Sequence, residues 1–293
     1  MFSGSIVAIV TPMQSDGAVD FTALDRLVDF HVANGTDAIV AVGTTGESPT
    51  LDVEEHMGVV KRVLARTASR VPVIAGTGAN STREAIEWTE LAHQAGAAAC
   101  LLVTPYYNKP TQEGLFEHYK AVASAVPIPQ ILYNVPGRTG VDMKPDTVAR
   151  LADIPNIVGL KEASGSLERN RELHARLGSR FLLLGGDDDI ACETLLGGFR
   201  GVISVTANVA PRLMHEMCAA ALASDSDRAK ALDSTLAGLH KYLFIESNPI
   251  PVKWALSRMG LIENVLRLPL TPLSEHCEGA VAEALKQAGI TLA

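Results

Sequence analysis

One short segment near the middle of the chain combines an apolar run with a charged end: at residues 157–162 it reads Ile157-Val158-Gly159-Leu160-Lys161-Glu162. The apolar run predicts a buried β-strand. A lysine at the end of such a strand loses hydration unless its amine releases a proton. A neutral amine attacks carbonyl carbons, so the position of Lys161 suits Schiff-base chemistry. The alternative is an ordinary strand end, whose lysine stem packs while its ammonium group stays in water.

Seven further short runs of mostly apolar residues resemble this one, at residues 6–10, 38–42, 73–75, 99–103, 130–133, 181–184 and 201–205. They are continuously apolar, which is typical of parallel strands covered on both faces. The segments between them, such as 54–66 and 82–94, have the apolar spacing of amphipathic helices. Eight strands alternating with helices predict an α/β fold, a (β/α)8 TIM barrel.

A doubly wound open sheet is the competing architecture. Its dinucleotide-binding signature is incomplete, because Gly76-Thr77-Gly78 follows a strand but Ser81 occupies the position of the third glycine. A tight turn between a strand and a helix explains both glycines. The barrel is therefore the better prediction.

Residues 211–293, which follow the eighth predicted strand, contain helical patterns and no further convincing strand. We therefore predict a catalytic barrel over residues 1–210 and, over residues 211–293, a C-terminal helical extension packed on it. A chain of 293 residues is long enough for such a barrel.

Composition narrows the classes of partner and cofactor. Hydrophobic residues make up 47% and charged residues 20%, and the net charge is −8, so we expect no nucleic acid and no membrane partner. The four cysteines are scattered, and the N-terminus lacks the pattern of a signal peptide, which predicts a cytoplasmic location. The histidines are dispersed and none forms an HExxH motif, so we expect no metal-dependent mechanism.

Polar residues follow several predicted strands, where the active site of a barrel of this type forms. Thr44 and Thr45 lie between Gly43 and Gly46, in a loop that suits a carboxylate or phosphate. An ordinary turn with threonine caps explains that loop equally well. Arg138 lies in a loop stiffened by proline and can bind a second carboxylate; alone, it would be read as a surface arginine.

Two other polar groups have competing interpretations. Tyr133 ends the strand before that of Lys161, so its hydroxyl can exchange protons with the lysine amine. The alternative is that Tyr133 is an ordinary core tyrosine whose hydroxyl is hydrogen-bonded within the protein. The run Asp187-Asp188-Asp189 resembles a cation site, but we interpret it as carboxylates that cap the following helix.

Several of these motifs together resemble the pyruvate-dependent class I aldolase superfamily and, within it, the dihydrodipicolinate synthase family. The resemblance runs from Gly4 to beyond Arg267, and the segments that carry it include 43–47, 103–108, 133–140, 159–163, 185–188, 201–208 and 248–253. It implies a lyase of diaminopimelate and lysine biosynthesis that condenses pyruvate with (S)-aspartate 4-semialdehyde and requires no metal or organic cofactor.

The resemblance also implies roles for individual residues. Lys161 would form the Schiff base with pyruvate, and three hydroxyl groups would relay protons, those of Tyr133, Thr44 and Tyr107. Four residues would bind or line the substrates: Thr45, Arg138, Gly186 and Ile203. Tyr107 would come from the neighbouring subunit of a homotetramer built as a dimer of dimers.

Many members of this family are inhibited by lysine, and the residues that would bind this effector here are Ser48, Pro49, His56, Asn80, Glu84 and Tyr106. Val53 stands where lysine-sensitive members often have a histidine, and Pro49 where alanine is frequent. These two departures predict weak or absent feedback.

Two rival functions share some of these residues. N-acetylneuraminate lyase or a 2-keto-3-deoxy sugar acid aldolase would keep Lys161 and Tyr133, but a sugar substrate has less use for Arg138. A barrel without catalysis that senses small acids is the rival from another class. The combination of Lys161, Tyr133, Thr44 and Tyr107 argues against it.

Overall fold

The computed structural model describes residues 2–293, in which eight parallel strands close into a barrel in the order of the sequence. The strands are β1 (Gly4–Ala8), β2 (Ala38–Ala41), β3 (Val73–Gly76), β4 (Ala99–Val103), β5 (Gln130–Asn134), β6 (Ile157–Glu162), β7 (Leu182–Gly185) and β8 (Gly201–Ser204). Strand β8 pairs with β1, which completes the closure. The predicted (β/α)8 barrel is confirmed, and the open sheet is excluded.

The first strand begins and ends two residues earlier than predicted. Gly4 and Ser5 pair with β8, so the polar start of the segment belongs to the sheet. At the other end, Val10 N donates to Oδ1 of Asn208 at 3.1 Å instead of to a neighbouring strand. A side chain almost two hundred residues away therefore ends the strand, which the local apolar pattern cannot reveal.

Helices α1–α8 cover the barrel between the strands: α1 (Phe21–Ala33), α2 (Val53–Thr67), α3 (Thr82–Ala95), α4 (Gln112–Ala125), α5 (Pro136–Thr139), α6 (Pro145–Leu151), α7 (Leu167–Leu177) and α8 (Ala191–Leu196). Side chains before α2 and α3 satisfy free N–H groups of the first turn. Asp52 and Glu55 form a complete capping box at α2. Ser81 accepts from Glu84 N at α3.

Strand alternation divides the apolar residues into two layers. One set faces the inside of the barrel and includes Ile6, Val40, Ile74, Leu101, Ile131, Leu184 and Ile203. The larger set lies between the sheet and the helices. Gly76 permits a close approach between β2 and β3, because a Cβ there would lie 2.3 Å from Val42 O. This contact, not a dinucleotide loop, explains that glycine.

Four helices follow the last strand: α9 (Pro211–Leu222), α10 (Ser226–Tyr242), α11 (Ile250–Arg258) and α12 (Glu275–Gln287). Helix α9 packs against β1 as well as against α10, and α12 packs on α10 and α11. Packing is thus continuous across residue 210, and the division of the chain there stays a prediction. None of the helices in residues 2–293 has both the length and the apolar character needed to traverse a bilayer.

A fully buried ion pair joins the C-terminal helices to the barrel. Lys253 on α11 donates to Glu47 Oε1 at 2.5 Å and to Thr11 O at 3.0 Å, and neither charged side chain reaches solvent. The other carboxylate oxygen of Glu47 accepts from Arg267 N at 3.1 Å. Burial lowers the pKa of Lys253, and the Glu47 carboxylate opposes that shift.

Removal of the ammonium group tests the energetic importance of this pair. Lys253→Met leaves the Glu47 carboxylate buried without its cation, which costs about 3–5 kcal/mol of unfolding free energy. Urea denaturation at fixed protein concentration measures the loss. Lys120→Met is the matched control, because Lys120 forms an exposed pair with Glu117 and should change stability little. Equal effects of the two substitutions would contradict this prediction.

Candidate active site

Lys161 and Tyr133 meet at the carboxyl-terminal rim of the barrel. They are paired in the register of β5 and β6, and their side chains point to the same side of the sheet. Lys161 is 6% exposed, and its Nζ lies 4.2 Å from the centroid of the Tyr133 ring. Among residues 2–293, no carboxylate forms an ion pair with Lys161. The structure thus brings a buried amine and a phenol together, as the sequence predicts.

A cavity of about 200 Å³ opens in front of Lys161. Its wall contains six of the residues predicted for the site: Thr44, Thr45, Tyr133, Arg138, Lys161 and Gly186. A Cβ at Gly186 would lie 2.8 Å from Lys161 Cε, so this glycine leaves the space that the lysine side chain occupies. Ile203 is buried inside the barrel and is not part of this wall.

The loop after β2 presents Thr44 and Thr45 to the cavity. Its left-handed backbone positions are Val42 and Glu47, with φ of 56° each, whereas Gly43 and Gly46 are not left-handed. Thr45 Oγ1 accepts from Asn248 Nδ2 at 3.0 Å. The hydroxyl hydrogen of Thr45 is therefore free to point toward a ligand.

Arg138 lies on the one-turn helix α5 at the mouth of the cavity. Its Nη2 donates to Asn248 O at 3.2 Å, and no carboxylate within residues 2–293 pairs with its guanidinium. The remaining N–H groups are available to an anion. Asn248 thus contacts both Thr45 and Arg138. The sequence provided no local signal for this role, because Asn248 lies more than one hundred residues from either partner.

A larger cavity of about 390 Å³ adjoins the first one and shares Thr44, Tyr133 and Arg138 with it. Its wall contains five residues predicted for an effector site: Ser48, Pro49, His56, Glu84 and Tyr106. Asn80 and Val53 are not part of this wall. Trp88, which the sequence analysis did not assign to this site, does belong to it. Trp88 follows Glu84 by one helical turn, a spacing that could have revealed it.

His56 forms the buried floor of the larger cavity. Its Nε2 lies 2.8 Å from Gly76 O, and its ring packs edge-on against Trp88 with the centroids 4.0 Å apart. A carbonyl can only accept, so Nε2 carries the hydrogen. Burial lowers the pKa of His56 to about 4, which keeps the ring neutral near pH 7.

Tyr107 lies apart from the cavities of its own chain. Its side chain is 89% exposed, and its backbone is left-handed with φ of 74°. Tyr107 N donates to Thr139 O at 3.3 Å, which attaches this turn to helix α5. The structure therefore places Tyr107 outside the group formed by Lys161, Tyr133 and Thr44.

The three consecutive aspartates do not cap the following helix, so that interpretation was wrong. Helix α8 has no side-chain cap. Asp188 is buried and its Oδ2 accepts from Val205 N and Thr206 N, each at 2.9 Å. Asp187 accepts from Gly165 N at 2.8 Å. These bonds tie together the loops after β6, β7 and β8, and only the closed barrel brings those loops close.

One group of side chains in residues 2–293 has metal-ligand character. Atoms of Glu246, His276 and Cys277 lie within 4.8 Å of one another. Glu246 already accepts from Ser274 N at 3.4 Å, which places its carboxylate at the start of α12. We therefore assign Glu246 to the stabilisation of that helix end.

A closed barrel with a buried lysine and a facing tyrosine at its carboxyl-terminal rim is the arrangement expected of the class of Schiff-base-forming aldolases. Residues 1–288 match the dihydrodipicolinate synthetase family. The chain is 65% identical over 292 residues to the 4-hydroxy-tetrahydrodipicolinate synthase of Thioalkalivibrio sulfidiphilus, covering 100% of this chain and 99% of that protein.

Solved structures show the same likeness. The dihydrodipicolinate synthase of Acinetobacter baumannii, complexed with pyruvate, has a TM-score of 0.98 and 58% identity, over 99% of this chain and 100% of that one. The enzyme of Cyanidioschyzon merolae with lysine bound has a TM-score of 0.96 and 38% identity, over 99% of each chain.

The chain belongs to the dihydrodipicolinate synthetase family. The predicted function, that of a 4-hydroxy-tetrahydrodipicolinate synthase, a lyase of lysine biosynthesis, is confirmed by these matches over the whole chain. They favour it over the sugar acid aldolases and over a barrel without catalysis.

Proposed function

We propose that this chain condenses pyruvate with (S)-aspartate 4-semialdehyde through a Schiff base on Lys161. One observation carries the proposal: the buried Lys161 amine faces a cavity whose wall also contains Tyr133, Thr44 and Arg138. An amine for the ketone, hydroxyls for protons and a cation for a carboxylate are the groups that this reaction needs.

The first half of the reaction activates pyruvate. The lone pair of the Lys161 amine attacks the ketone carbon, and the resulting carbinolamine takes up a proton and loses water to give an iminium. Proton transfers in these steps are assigned to the hydroxyls of Tyr133, Thr44 and Tyr107. The iminium acidifies the methyl group, and loss of one of its protons gives an enamine.

The second half forms the ring. The enamine carbon attacks the aldehyde of the semialdehyde, forming the new carbon–carbon bond. The amine of that substrate then displaces Lys161 and closes the six-membered ring, which returns the free enzyme. In the proposal, Thr45 binds the pyruvate carboxylate and Arg138 that of the semialdehyde, while Gly186 and Ile203 line the site.

The exposure of Tyr107 supports a site completed across a subunit interface. A tyrosine side chain that is 89% exposed cannot relay protons in its own cavity, but it can enter that of a neighbour. We therefore propose a homotetramer built as a dimer of dimers. Within each tight dimer, each subunit contributes its Tyr107 to the site of the other subunit. A cytoplasmic location is part of the proposal, since all four cysteines are free.

Lysine is the proposed effector of the larger cavity. Glu84 can pair with its ammonium group, and the Tyr106 hydroxyl can bind its carboxylate. Val53 is 50% exposed at the start of α2 and offers no hydrogen bond, and Pro49 removes a backbone donor from the cavity wall. We therefore propose that feedback is weak or absent.

The covalent intermediate is tested by reduction. Borohydride with pyruvate should add the reduced pyruvyl group at Lys161, and peptide mass spectrometry locates it. Lys253, the other lysine buried in the described chain, should stay unmodified because it faces Glu47 and not the cavity. Lys161→Ala is the control. An adduct at another lysine, or none, would overturn the mechanism.

The role of Arg138 is tested by a comparison of the two substrates. A charge-assisted bond contributes about 1.5–3 kcal/mol, so Arg138→Ala should raise KM for the semialdehyde by at least about tenfold. KM for pyruvate should change far less. Arg180→Ala is the control, because Arg180 lies at the opposite end of the barrel. Equal increases for both substrates would remove Arg138 from this role.

Complementation tests whether Tyr107 acts across an interface. Tyr107→Phe and Lys161→Ala subunits should each be nearly inactive alone. In a mixed tight dimer, one site keeps Lys161 and receives an intact Tyr107, so mixing should restore activity when subunits exchange. Native mass spectrometry confirms mixed species. Mixed dimers as inactive as their parents would show that Tyr107 does not act across the interface.

Initial rates across a lysine titration test the effector site. Loss of one or two hydrogen bonds, at about 0.5–1.5 kcal/mol each, weakens lysine binding by up to roughly a hundredfold. We expect little inhibition below millimolar lysine, and greater sensitivity in a Val53→His/Pro49→Ala variant. Strong inhibition of the unaltered protein at low micromolar lysine would show that the interpretation of these positions is wrong.

A further inference from the structure

Two buried polar residues lie directly behind Tyr133 and Lys161 in the sheet. Asn134 and Glu162 are the next residues of β5 and β6, and they are paired in the same register. Successive side chains of a strand point to opposite faces, so Asn134 and Glu162 face the helices while Tyr133 and Lys161 face the barrel mouth. Neither residue belongs to the wall of either cavity.

A hydrogen-bonded contact joins the two residues across the strands. Asn134 Nδ2 lies 3.1 Å from Glu162 Oε1 and 3.2 Å from Oε2, and both side chains are fully buried. This contact spans the same two strands as the approach of Lys161 to Tyr133, on the reverse face of the sheet. The spacing of one pair therefore constrains the spacing of the other.

The pair is also attached to the surrounding helices. Asn134 Oδ1 accepts from Met143 N at 2.9 Å, and its Nδ2 lies 3.0 Å from Asp142 Oδ1. Arg169 on α7 donates to both oxygens of Asp142, at 3.1 and 3.0 Å. The segment between α5 and α6 thus holds Asn134, and through it Glu162, in one orientation.

Burial of these two polar side chains costs desolvation free energy, so their presence needs an explanation. Leu132 and Leu160 occupy the preceding helix-facing positions of the same strands and pack in the apolar layer. Within residues 2–293 no cation forms an ion pair with Glu162, and burial raises its pKa to about 7. Apolar residues at such positions are often as stable as buried polar groups, so stability alone does not explain the pair.

We infer that Asn134 and Glu162 are positioning residues that hold Lys161 beside Tyr133. The inference rests on the proposed Schiff-base role of Lys161. A displacement of about 1 Å can slow an enzymatic step by about a hundredfold. Loss of the contact therefore lowers the rate of Schiff-base formation, while the carboxylate-binding groups at Thr45 and Arg138 keep the affinity for pyruvate.

The experiment compares Glu162→Leu, Asn134→Leu and Glu162→Gln with the unaltered enzyme. Rapid quenching with borohydride at saturating pyruvate measures the rate of adduct formation at Lys161, and steady-state assays give kcat and KM. Each leucine variant should lower the adduct rate and kcat by about tenfold or more, with KM for pyruvate nearly unchanged. Glu162→Gln keeps an acceptor for Asn134 and should restore most of the rate.

Asn170→Leu is the matched control for a general loss of packing. Asn170 is a buried asparagine on α7 that donates to Thr194 Oγ1 at 3.0 Å and lines neither cavity. This variant should lower Tm without a change in kcat per folded subunit. If Glu162→Leu does not fold, Glu162→Met fills the same space with a flexible apolar chain and is judged by the same criteria.

The outcomes separate the two proposals. Adduct formation at Lys161 in the unaltered enzyme, with undiminished rates in the leucine variants, overturns the positioning role alone. The same holds if Glu162→Gln is as slow as Glu162→Leu, or if KM rises while kcat stays constant. An adduct at a different lysine in the unaltered enzyme overturns both the proposed function and this inference.

Discussion

Closure of eight parallel strands is the constraint on which the rest of the structure depends. Because every strand runs in the same direction, all eight carboxyl ends lie on one rim, and residues as distant in sequence as Thr44 and Gly186 share one cavity. Apolar side chains fill the barrel interior. Polar side chains are accommodated at the rim, where Lys161 keeps access to a ligand while its stem is buried.

Contacts from the C-terminal segment also hold two parts of that rim in place. Asn248 contacts both Thr45 and Arg138, and five residues later Lys253 is fully buried against Glu47. Since Glu47 ends the same loop that carries the threonines, the energetic cost of burying this ion pair is linked to the positions of Thr45 and Arg138, the two residues proposed to bind carboxylates. Fold stability and site geometry therefore share one set of contacts.

Local rules succeeded where a residue's neighbours in sequence are also its neighbours in space. Continuous apolar runs predicted the strands, and the caps at Asp52 and Ser81 follow the rules of helix starts. The same rules failed at Asp188, whose sequence position resembles a cap. Its carboxylate accepts from Val205 and Thr206 because β7 and β8 are adjacent in the closed sheet.

The sequence by itself determined the barrel class and the residues that resemble one enzyme family, and it singled out the lysine proposed to react with a ketone, because periodicity and residue type are local properties. Only the tertiary structure decided which polar groups meet. Asn134 and Glu162 became a bonded pair, Asn248 joined two distant loops, and Tyr107 was left exposed. The partner of a buried polar group depends on how the strands close and how the helices pack, and those contacts link residues that no local pattern connects.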